Sequence, residues 1–147
     1  MKAVTVVLSA VVLLVSLNSP ANAQQFKFGI LRLMPDGRYT MDVETTRIPR
    51  RLKETGFRFG VAIDNPRGET IEWYPVIHLP APLKQLSGGL EKVSPTVVRG
   101  DNQRSSDKHI VDHFWFDAGD PLGPHRLEVF VYGVPRFTIN FEVVEAR

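Results

Sequence analysis

His109, Asp112 and His113 lie within five residues of one another, and their spacing has two different chemical meanings. On a helix, residues four apart stack about 6 Å from each other, so the two histidines could share a metal ion. On a strand they point the same way but stand about 13 Å apart, too far for one metal, and Asp112 faces the opposite side. The neighbours Ile110, Val111, Phe114, Trp115 and Phe116 are β-branched and aromatic, which selects the strand. The expectation is therefore no metal site, no catalytic residue and no cofactor. Asp112 shares parity with Ile110, Phe114 and Phe116, the more apolar side. A carboxylate there needs hydrogen-bonding or cationic partners, so it reads as a structural brace. A small hydrolase or metal-assisted enzyme using Asp112 and the nearby histidines is the alternative. The chain has no Gly-x-Ser-x-Gly elbow, no phosphate-binding glycine loop and no dinucleotide fingerprint to support it.

Two further groups suit binding rather than catalysis. Arg47, Arg50, Arg51 and Lys53 concentrate positive charge on one connection and form a candidate anion site. His113 and Trp115 on one strand, with Phe130 and Tyr132 on the next, take the parity away from the expected core. If those strands are neighbours, the four rings form an outward patch suited to a sugar ring, an envelope protein or a second copy of the chain.

The elements that would position these residues are strands. Phe137, Ile139, Phe141 and Val143 alternate with Thr138, Asn140 and Glu142. Upstream, Leu127, Val129 and Val131 alternate with Glu128, Phe130 and Tyr132. Gly133 and Pro135 punctuate the connection, so the two runs predict a closing hairpin. Such a hairpin is marginal alone, and the earlier chain must supply its sheet. Phe57, Phe59, Val61 and Ile63 give the clearest strand of the first half. Pro75 interrupts the parity of Ile71, Trp73, Ile77 and Leu79, which suggests an edge strand or a bulge. The polar run Asp101 to Lys108 reads as a solvated loop, and Pro49 marks a connection with at most one helical turn. The whole predicts an all-β, antiparallel, immunoglobulin-like sandwich of about seven or eight strands. Its core contains Phe57, Phe59, Val61, Ile63, Leu127, Val129, Val131, Phe137, Ile139, Phe141 and Val143.

Residues 1–23 read as a cleaved secretory signal peptide. Lys2 precedes an apolar stretch from Val4 to Leu17, and Ala21-Asn22-Ala23 is a small-x-small cleavage site. The stretch is shorter than the roughly 20 residues that span a bilayer. Residues 24–147 then form a single periplasmic or secreted domain with no integral membrane segment. There is no cysteine, hence neither a disulfide nor a lipidated N-terminal cysteine. Lysine and arginine total 18 against 16 aspartate and glutamate, and the leader removes Lys2. The nearly neutral remainder lacks the charge excess a nucleic-acid binder needs.

Arg47-Ile48-Pro49, Phe57-Arg58-Phe59-Gly60, Leu79-Pro80-Ala81-Pro82, Asp112-His113-x-Trp115 and the hairpin closing at Tyr132-Gly133 occur in this order. In that order the chain resembles a bacterial family of exported proteins called domain of unknown function 3859, over Phe26 to Val144. The resemblance implies an immunoglobulin-like sandwich and carries no activity, cofactor or catalytic residue with it. Where that family has a tryptophan at the start of the penultimate strand, this chain has His125. The function expected is a non-catalytic binding or adaptor domain of the bacterial envelope.

Overall fold

The computed structural model describes residues 23–86 and 88–147. The predicted signal peptide, apart from Ala23, lies outside the described residues. Eleven strands make up the secondary structure, and no helix occurs among the described residues: β1 (Gln25–Leu33), β2 (Tyr39–Glu44), β3 (Arg47–Arg50), β4 (Arg58–Asp64), β5 (Ile71–His78), β6 (Leu90–Ser94), β7 (Val97–Gly100), β8 (Gln103–Ser105), β9 (His109–Phe114), β10 (Gly123–Val131) and β11 (Val134–Glu145).

They pair into a four-stranded sheet, β2-β1-β4-β9, and a larger sheet, β3-β11-β10-β5-β7-β6, in which β8 also pairs with β5. All pairings are antiparallel except that of β3 with β11. Strands β1, β4 and β9 facing β11, β10, β5 and β7 reproduce the strand order of an immunoglobulin-type sandwich. The expected fold class is therefore observed.

Between the sheets lies the core. Phe28 of β1 contacts Phe141 of β11 with ring centroids 4.8 Å apart, and Phe59 of β4 reaches Phe141 at 5.9 Å. Nine of the eleven predicted core residues are buried. Phe137 and Ile139 are half-buried against the cluster, because they approach the turn end of the hairpin, where Phe137 stacks on Phe26 at 5.4 Å.

The strand count exceeds the seven or eight expected, and the excess comes from segments with broken alternation. Residues Arg47–Arg50 form a parallel edge strand rather than a plain connection. Pro49 is tolerated there because β3 has one partner only. Part of the polar run is β8, which pairs through Glu72↔Arg104. Pro75 lies neither on an edge strand nor at a bulge: β5 is interior, with β10 along one side. Along the other, β8 covers Ile71 to Trp73 and β7 covers Val76 to His78. The missing N–H of Pro75 coincides with the interval between these two short partners, so no ladder bond is forfeited there.

Candidate functional site

The small sheet ends at β9, whose Asp112 lies opposite Trp73 of β5, whereas the large sheet continues past β5 to β7 and β6. These last two strands have no strand opposite them. Connecting segments close the space instead, with Leu79 and Leu83 from one side and Trp115, Phe116, Asp120 and Pro121 from the other. The result is a cavity of about 310 Å³ between the sheets. The buried Ile77 and Val98 form its floor, the half-buried Leu90 stands at its rim, and Phe59, Phe114 and Phe141 form its inner wall.

Asp112 is the polar group set into this apolar wall. The strand parity of Ile110, Asp112 and Phe114 turns it inward, and the register Val61↔Asp112 places it beside a fully buried valine. The indole N–H of Trp73 donates to its Oδ2 at 3.1 Å. Burial pushes the carboxyl up to about 6, although the Trp73 indole and the His113 backbone N–H stabilise the charged form. The brace expected of Asp112 exists, and it runs between the two sheets. Gly60 is what lets β9 approach: a Cβ there would lie 2.0 Å from the Asp112 carbonyl oxygen.

His125, singled out from the sequence only as a departure from a tryptophan, also lines the cavity. It is 7% exposed, its Nδ1 is 2.9 Å from the Gly123 carbonyl oxygen, and its ring stacks on Phe141 at 5.1 Å. Burial pulls its pKa below the usual histidine value, so it is neutral at pH 7. Its periodicity with Leu127 and Val129 is the signal that places it inside.

The outward aromatic patch does not form as one surface, because β9 belongs to the small sheet and β10 to the large one. On the small sheet His113 contacts Tyr39 at 4.8 Å, and the Arg58 guanidinium lies 5.2 Å from the centroid of Trp115. On the large sheet Phe130 stacks on Tyr74 at 5.0 Å, and Arg99 covers the other side of Tyr74 at 3.8 Å. Tyr132 is more exposed than Trp115, yet its amide donates to the Glu72 carbonyl at 2.9 Å and its hydroxyl to the Thr70 carbonyl.

The basic cluster disperses for a similar reason. Arg50 is drawn in by Glu145 at 2.9 Å and the Asp120 carbonyl at 2.6 Å. Arg51 pairs with Glu54 at 3.0 Å and lies over Phe57, and Lys53 is exposed. Arg47 alone of the four lines a second, broader depression, together with His78, Arg126 and Glu142. The histidines near Asp112 also diverge from it: His109 is paired with Asp64 at 3.1 Å on the exposed end of β9. No group of three or more histidine, cysteine, aspartate or glutamate side chains suited to a metal occurs among the described residues.

The family described as PM0630 beta sandwich domain matches residues 26–144. No curated protein sequence matches the chain. Among solved structures, an immunoglobulin-like protein from Pseudomonas aeruginosa is similar, with 18% identity and a TM-score of 0.42, covering 82% of this chain and 92% of its own.

Proposed function

We propose that this chain, which belongs to the PM0630 beta sandwich domain family, is an exported, non-catalytic binding domain of the bacterial envelope that takes a small apolar ligand between its sheets. The observation that carries this reading is the cavity beyond β9. Its volume of about 310 Å³ falls at the lower end of ligand pockets, which are apolar concavities with a few oriented polar groups. Binding is favoured over catalysis because the side-chain hydrogen bond of Asp112 goes to an indole, not to a histidine able to move a proton. Export rests on the N-terminal charge, apolar stretch and Ala21-Asn22-Ala23, and on the resemblance to the exported family domain of unknown function 3859.

Calorimetric titration of the domain from Gln24 with 2-phenylethanol, a neutral ring-bearing ligand, tests the site. Leu90 is half-buried at the cavity rim, so Leu90→Trp fills the space from there with little strain on the core. Saturable binding by the parent and its loss in Leu90→Trp, with the thermal transition kept, are expected. Equal binding by both proteins places the ligand elsewhere. N-terminal sequencing of the protein recovered from the envelope should begin at Gln24, and a recovered chain still beginning at Met1 would remove the export part.

A further inference from the structure

The charge distribution around the cavity narrows the ligand class. Asp101, Asp112, Asp120 and His125 are titratable residues of its lining, the His113 imidazole is turned to the outer face beside Tyr39, and no lysine or arginine occurs among the described lining residues. His125 is held below its usual pKa, mainly by burial, so it supplies little positive charge at neutral pH. The nearby arginines have other partners. Arg58 lies over Trp115, Arg50 is bound to Glu145 and the Asp120 carbonyl, and the stem of Lys84 lies against Gly119. Asp112 makes no ion pair within 4 Å among the described residues, and its carboxylate is hydrogen-bonded by the Trp73 indole and the His113 backbone N–H. Asp112, turned inward by the parity of its strand, is thus a carboxylate at the apolar cavity with no counter-ion among the described residues.

Resting on the binding reading above, the geometry points to an apolar cation as the ligand: a compact hydrocarbon or aromatic body carrying an ammonium group that meets the Asp112 carboxylate. The body would lie against Ile77, Val98 and Phe141, and the ammonium would donate to the carboxyl while Trp73 holds its Oδ2. A buried carboxylate without a cation is costly, and a ligand that brings the cation removes that cost. A neutral isostere gains only the apolar contact. An anionic one meets the Asp112 carboxylate.

Three ligands sharing one ring and chain test this on the domain from Gln24 at pH 7.5: phenethylamine, 2-phenylethanol and 3-phenylpropanoate. Phenethylamine should bind at least about tenfold more tightly than the alcohol, the increment expected of a charge-assisted hydrogen bond, and the carboxylate should bind most weakly. Asp112→Asn should abolish the amine's advantage and keep alcohol binding. If the alcohol matches the amine in the parent protein, the cation preference falls and the cavity site stands. If none of the three binds, both readings fall. A parent pH series supplies the same test without a variant. Between pH 7.5 and 5 the amine advantage should shrink, because Asp112 gains a proton and His125 at the cavity wall gains charge, whereas alcohol binding should not follow. An advantage constant across that range overturns the proposal.

Discussion

Asp112 illustrates how one strand position can serve a site at a cost to the fold. Its carboxyl is pushed up to about 6 from the ordinary aspartate value of 3.8, so between these values the native protein holds the proton that the unfolded chain releases. Stability from this group therefore decreases as pH rises from about 4 to about 6, and above that range the ionised carboxylate costs on the order of 3 kcal/mol. Asp112→Asn keeps an oxygen for the Trp73 indole and removes the charge. We expect the variant to melt higher than the parent at pH 7.5 and to converge with it near pH 4. His113 and His125 are shifted down, so both destabilise the fold as pH falls below the ordinary histidine value, in parent and variant alike. A pH-independent gap between the two melting curves would show that Asp112 is not the group titrating.

At the scale of the element, β9 is where sequence periodicity gave most and then ran out. Alternation of Ile110, Asp112 and Phe114 was enough to turn Asp112 inward and His113 outward, as observed. What a single strand's pattern does not encode is its neighbour: β9 pairs with β4, not β10, and this separates Trp115 from Phe130 and Tyr132. The cavity was hidden for the same reason, since it arises from a large sheet wider than the small one. The β4 to β5 connection is another case. Asn65 reads as a turn residue, yet it is 1% exposed and its amide donates to the carbonyls of Glu69 at 2.8 Å and Asp107 at 3.1 Å. It ties that turn to the segment entering β9. Gly60 gives a direct test of how β9 is positioned. Because a Cβ would sit 2.0 Å from the Asp112 carbonyl oxygen, Gly60→Ala must push β9 away from β4 or break the local ladder. It should lower the thermal transition and weaken ligand binding together. Unchanged binding in a folded Gly60→Ala protein would mean that the site tolerates displacement of Asp112.

For the molecule as a whole, Phe141 connects the core to the cavity. Its ring contacts Phe28 and Phe59 of the small sheet and His125 of its own. It is 4% exposed and forms part of the cavity wall. Truncation to alanine removes the aromatic that both sheets share, and such core truncations cost about 3 to 5 kcal/mol. If the sandwich unfolds as one cooperative unit, Phe141→Ala shifts the urea midpoint downward and leaves the slope of the transition unchanged. A second transition, or a clearly smaller slope, would show that one sheet persists after the other has opened. The same truncation enlarges the space beside Asp112, because the wall recedes where Phe141 stood. Ligand binding should survive in it with preference moved toward a bulkier amine, such as a naphthyl analogue of phenethylamine, which should also raise the variant's midpoint more than the parent's. A variant that is destabilised as expected but gains no affinity for the larger amine would place the ligand away from Phe141, toward the rim formed by Leu83 and Leu90.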